Sequence, residues 1–219
     1  MKQIWAIVRK DLALERHSRE MFGSMTLYAL LVLFVFSISF DLRVEQTTIV
    51  APGVLWIAIT FSGMLGLSRS FVLERDQGCL DGLLLCPIDR GQLYLAKTLS
   101  NLIFISITEV ILVPLYLVLL NLPLDPMLPL IVLLGTVGFA AVGTLLSALT
   151  ARIRAREALL PVLVFPILLP GLIAAVKLTA GLLDNLPWVE LYPWLLLQIG
   201  FDVLLLALAY LLFDTVIEE

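Results

Sequence analysis

Two carboxylates stand inside otherwise apolar sequence, Glu109 and Asp202. On helical geometry Glu109 lies about 18 Å along from Lys97, and Asp202 about 12 Å along from Trp194. An ionised acid in hydrocarbon is costly, so each is expected to be protonated, hydrogen-bonded or turned toward a polar interior. Such a group can line a substrate path or carry a proton. It can equally be a neutral acid bridging two helices. Glu109 is the stronger functional candidate, because it falls nearer the middle of its apolar run.

The other residues able to do work form the one long polar interruption in the chain, Glu74 to Arg90, six of which are charged. Cys79, Leu80, Leu83, Leu84 and Cys86 recur there at helical spacing, with Gln77 and Asp81 toward another side. The pattern predicts a short amphipathic helix. Pro87 stops it, while Gly78 and Gly82 let the backbone turn or approach another surface closely. A short helix with hard stops between two membrane spans suits an intracellular coupling element. A loop helix lying on lipid headgroups would show the same spacing.

The remaining chemistry is sparse. No G-x-x-x-x-G-K-[ST] run occurs, so the chain does not cradle nucleotide phosphates by itself. There is no histidine cluster and no nucleophile paired with a base, so intrinsic catalysis is unsupported and any work done must draw on a partner. His17, the single histidine, sits between Arg16 and Arg19 as a solvated interfacial residue, a ligand or a pH sensor. Cys79 and Cys86 form no CxxC pair and read as small buried hydrophobes. Trp188, Tyr192 and Trp194 make an aromatic belt or a platform for a planar ligand.

The elements that must position these groups are dictated by composition. Of 219 residues, 61% are hydrophobic and 15% charged, with a mean hydropathy of +1.05, too little polar material to cover a soluble domain. The expected fold is an all-α membrane protein, a single transmembrane domain over 1–219 with six transmembrane helices at 22–40, 50–72, 93–120, 127–150, 158–176 and 194–213. Residues 1–20 hold five basic and three acidic side chains, with Ile4, Trp5, Val8 and Leu12 in one sector; they predict an amphipathic interfacial helix anchored by Trp5. Their charge leaves no cleavable apolar core, so no removed signal peptide is expected. Asn121 to Pro126 is expected to be a tight hairpin turn. Gly135, Gly138 and Gly143 with Ala140, Ala141 and Ser147 predict a close-packed, central fourth span. Pro161, Pro166 and Pro170 argue against a regular fifth helix. Residues 177–193 read as an external segment of short or re-entrant helices. No internal repeat, linker or low-complexity tract is evident.

Six spans put both termini on one side. That side carries Lys2, Arg9, Lys10, Arg16, Arg19, Arg69, Arg75, Arg90, Lys97, Arg152, Arg154 and Arg156; the other carries only Arg43 and Lys177. The bias predicts cytoplasmic termini and a cytoplasmic 74–90 helix.

The interfacial amino-terminal helix, Ala51-Pro52-Gly53-Val54-Leu55-Trp56, Phe71-Val72-Leu73-Glu74-Arg75-Asp76, the Gly78-to-Leu85 helix with Pro87, and Leu95-Ala96-Lys97 together resemble the CcmB family, a membrane component of the haem exporter complex of cytochrome c maturation. The resemblance extends over nearly the whole chain in length and span order and is most specific between Ala51 and Lys97. It implies a non-catalytic permease subunit of the type II ABC exporter class in a bacterial inner membrane. Its implied partners are an ABC ATPase in two copies, a haem-handling membrane subunit, a small membrane subunit, indirectly a haem chaperone, a second copy of the chain, and lipid; nucleic acid is not among them. ATP would bind the partner ATPase and drive release of the haem-loaded chaperone, with no cofactor or metal bound by this chain. The ATPase-coupling segment carries over as Glu74, Arg75, Asp76, Gly78, Leu80, Asp81 and Pro87, with Leu84 on its apolar face. The resemblance supplies no haem-ligating residue. The competing readings are a type II permease exporting a lipid, drug or glycan, and a non-transporting membrane scaffold.

Overall fold

The computed structural model describes residues 2–41, 47–70, 89–150, 153 and 156–218. They form seven α-helices: α1 Lys2–Ser18, α2 Glu20–Asp41, α3 Thr47–Ser70, α4 Arg90–Leu119, α5 Leu128–Thr150, α6 Arg156–Leu183 and α7 Trp188–Glu218. Six of them, α2 to α7, are long and apolar enough to cross a membrane. The protein is all-helical among the described residues, and its spans alternate in direction, so that α1 and the end of α7 share one end of the bundle.

α5 is the axis. Its glycines and alanines let α3, α4, α6 and α7 pack around it, and it is the most deeply buried of the six spans, as its run of small residues predicts. α2 lies outside this ring against α3 and α4. The main apolar core joins α2 to α7, and a second, smaller core sits at the termini-bearing end, built from Ile7, Val8, Leu93, Tyr94, Ala96, Leu145, Ala209 and Phe213.

α1 forms where its periodicity places it, but its apolar face packs on protein. Ile7 and Val8 are buried against α4, in a cluster that also takes in the ends of α5 and α7, with Ile4 and Leu12 partly buried beside them, while Trp5 faces away and is 58% exposed.

Two expectations are corrected. Pro161, Pro166 and Pro170 do not interrupt the fifth span, because α6 runs unbroken from Arg156 to Leu183. In hydrocarbon an unravelled backbone has no water to satisfy it, so a helix missing single hydrogen bonds remains the better solution. Nor is 177–193 a set of short or re-entrant helices: it is the last turns of α6, a turn at 184–187 and the start of α7. Asn185 takes the left-handed conformation (φ 53°), and the Leu186 and Asn185 amides donate to the Gly181 and Leu182 carbonyls at 2.8 and 3.1 Å, a Schellman closure. The expected hairpin at 121–126 closes α4 identically. Asn121 has φ 49°, with Leu122 and Asn121 donating to Leu117 and Val118 at 2.9 and 3.3 Å.

Candidate functional site

One turn of α5 gathers contacts from three neighbouring helices, one of which is bonded in turn to a fourth. At Gly135 the missing side chain admits the Trp56 ring of α3, whose Nε1–H donates to Thr179 of α6 at 3.0 Å. At Thr136 the hydroxyl meets Glu109 of α4. At Gly138 the Asp202 carboxyl of α7 lies so close that a Cβ would stand 2.3 Å from Oδ1. Phe139 fills the hollow over Gly63 of α3. The two intramembrane acids therefore fall on a single belt around the central helix.

Glu109 is 6% exposed. The Thr136 hydroxyl lies within donating distance of both Glu109 Oε1 and the Val132 carbonyl, the latter at 2.8 Å. The Thr136–Glu109 contact links α4 to α5. Asp202, 3% exposed, accepts from Gln198 Nε2 at 2.9 Å, one turn away in α7. Glu109 is thus bonded across the α4–α5 seam, whereas Asp202 is bonded within α7 and packs against Gly138 of α5. Further along the α4–α5 seam, Asn101 Nδ2 donates to Thr144 Oγ1 at 2.9 Å and Tyr94 Oη donates to the Ala141 carbonyl at 3.1 Å.

The second polar centre is at the termini-bearing end. Lys97 of α4, 2% exposed, reaches both carboxylate oxygens of Asp11 of α1, at 3.1 and 3.2 Å; Asp11 itself is 9% exposed and is also met by Lys10 at 3.3 Å. Arg90, at the start of α4, pairs with Asp214 near the end of α7 at 3.2 Å. The Tyr94 and Phe213 rings pack at 5.1 Å between them. Between α3 and α2, Arg69 and Glu20 approach to 3.9 Å on an open surface.

The expected coupling residues Glu74, Arg75, Asp76, Gly78, Leu80, Asp81, Leu84 and Pro87 lie outside the described residues. Their flanks do not: α3 ends at Ser70 and α4 begins at Arg90. Sequence reasoning missed Thr136, Gln198 and the Asp11–Lys97 pair. Thr136 and Gln198 are ordinary polar residues in long apolar runs, and Asp11 and Lys97 are 86 positions apart with nothing local to join them.

The similarity to known proteins runs along the whole chain. The family model described as CcmB protein matches residues 2–217. The chain is 32% identical to Heme exporter protein B of Rhodobacter capsulatus over 175 residues, covering 79% of this chain and 80% of that protein. It is 28% identical to Heme exporter protein B of Pseudomonas aeruginosa, covering 83% and 82%, and 31% identical to that of Paracoccus denitrificans, covering 77% and 78%.

Proposed function

The chain belongs to the CcmB protein family, and from that premise we propose that it is the permease subunit of an ABC-type haem export complex in c-type cytochrome biogenesis. The observation that carries this reading is the family match over residues 2–217, on a bundle whose six apolar helices include both flanks of the charged 74–90 stretch. The chain is a multi-pass bacterial membrane protein. Its two neighbouring spans α3 and α4 meet the 74–90 stretch on the same side as both termini, the side richest in Lys and Arg, which we assign to the cytoplasm.

On this reading a separate ATPase, in two copies, receives the short helix around Leu80–Leu85, with Glu74, Arg75, Asp76 and Asp81 at its polar margins and Gly78 and Pro87 setting its bends. Closure of the ATPases would thrust on that helix and tilt α3 and α4 from their cytoplasmic ends. Haem is cargo of the complex, held by a haem-handling membrane subunit and passed to a chaperone, with no ligand residue in this chain. The Trp5 side of α1 is left for headgroups at the membrane surface. Glu109 and Asp202 are buried between packed helices, Glu109 on Thr136 and Asp202 against Gly138, which favours a force-bearing bundle over a lipid, drug or glycan path lined by those acids.

The test is a pull-down of the detergent-solubilised chain from its native membrane, comparing wild type with Leu84→Asp. Recovery of an ATPase with haem-handling membrane proteins, and loss of the ATPase alone in the variant, is the expected result. An ATPase without those companions would replace haem export by a general exporter. No ATPase in either sample would overturn the coupling role in favour of a scaffold.

A further inference from the structure

Among the described residues, the two sides of 74–90 are held by different chemistry. Where the chain enters that stretch, the last turns of α3 pack apolar contacts, Gly66 on Met25 of α2 and Leu67 on Gly143 of α5, and their charged contact, Arg69–Glu20 at 3.9 Å, is a long surface pair that contributes little. Where the chain leaves it, α4 is held from two sides by Arg90–Asp214, Tyr94–Phe213 and the buried Lys97–Asp11 pair. These contacts surround an apolar cluster of their own, distinct from the main core. They make α1, the first turns of α4 and the last turns of α7 one body, seated on the end of α5 through Leu145.

A buried ion pair is a poor source of net stability, because an apolar pair of the same size would serve as well; its distinctive property is that it fixes one register and penalises every other. Asp11 sits between Val8 and Leu12 on the buried side of α1, so the pair sets where α1 stands along α4. The far end of α1 is fixed as well. The Glu15 carboxylate accepts the Phe22 amide at 2.7 Å in the first turn of α2, across a corner turned by Arg19 at φ 55°. α1 is therefore a rigid arm of about 25 Å between the start of α4 and the start of α2.

We propose that Asp11 and Lys97 are a positioning pair, a latch that obliges α1 to move with α4, so that displacement received next to Arg90 is delivered through α1 to α2. This rests on the ATPase-coupling reading of 74–90.

The experiment uses the complete complex purified with its ATPase, and compares wild type, Asp11→Lys and the exchanged double variant Asp11→Lys/Lys97→Asp. Asp11→Lys sets two cations face to face and releases α1 while the separate main core keeps the spans together. Expected are ATPase binding within about twofold of wild type, release of haem-loaded chaperone per ATP hydrolysed reduced at least tenfold, and recovery to within about threefold in the exchanged variant. Wild-type release by Asp11→Lys, or no recovery on exchange while ATPase binding is kept, overturns the latch. A second arm leaves the pair intact. With Cys79 and Cys86 replaced by Ser, spin labels go on the exposed positions Leu14 of α1, Leu99 of α4 and Leu65 of α3. On ATP binding the Leu14–Leu99 distance should hold while Leu65–Leu99 changes; equal change in both overturns the proposal. A wild-type complex lacking an ATPase would instead remove the coupling reading beneath it.

Discussion

Gly138 of α5 and Asp202 of α7 occupy space that only one side chain can fill: a Cβ on the glycine would stand 2.3 Å from the aspartate Oδ1 and 3.6 Å from its Cα. The carboxyl is held there by Gln198, so it cannot swing aside without giving up that bond. Gly138→Ala should therefore destabilise the detergent-solubilised protein by about 1–3 kcal/mol, the usual cost of overpacking. Most of that cost should vanish in the Asp202→Ala background, giving a strongly non-additive cycle by thermal unfolding. Gly200→Ala in α7, where nothing lies within 4 Å, should be silent.

The Glu109–Thr136 bond separates two substitutions. A glutamine at 109 keeps an oxygen that accepts from Thr136, so Glu109→Gln should change stability by no more than about 0.5 kcal/mol, within the range of single interhelical hydrogen bonds in membranes. Glu109→Leu should lose the α4–α5 link. A loss above about 2 kcal/mol for the glutamine variant in reversible unfolding, beyond what one such bond contributes, would mean that Glu109 does more than accept from Thr136.

Removing one member of the Asp11–Lys97 pair leaves the other charge buried. Lys97→Met alone should cost about 3–5 kcal/mol, and Lys97→Met/Asp11→Leu should recover most of it, because apolar replacements of similar volume stand in well for buried ion pairs. Denaturant titration followed by near-ultraviolet circular dichroism would resolve the difference. Equal losses in the single and double variants would contradict it.

The turn after α6 makes a backbone prediction. Asn185 is exposed and held at φ 53°, where a branched side chain is crowded. Asn185→Val should cost about 1–2 kcal/mol, while Asn185→Gly should be neutral or better in the same melting assay. Asn121 should respond the same way, since both residues close their helices by the same pair of hydrogen bonds.

That parallel separates what is readable in the sequence from what is not. Asn-Leu-Pro occurs at 121–123 and again at 185–187. The first copy predicts a hairpin directly; at the second, the neighbouring Trp188, Tyr192 and Pro193 point instead to an interfacial segment and mask the same turn. The six spans and the central place of α5 follow from apolar length and the Gly135–Gly138–Gly143 spacing, which are local properties. The unbroken α6 does not, since three prolines weigh against a helix in water and far less in hydrocarbon. The acids at 109 and 202 stand out by charge alone, but their partners Thr136 and Gln198 do not, and Gln198 matters only because α7 turns it and Asp202 to one side. Long-range pairs such as Asp11 with Lys97 are invisible to periodicity, which reports the face of a helix and never what the face meets.

The distance in sequence between those two residues bears on how the protein is made. At 5–20 residues per second, the 86 positions from Asp11 to Lys97 take roughly 4–17 s to emerge from the ribosome. For that interval α2 and α3 can enter the bilayer while α1 has no mate. α1 is thus made well before its mate, and its docking onto α4 can serve as a sign that the first half of the bundle has been threaded in the right direction.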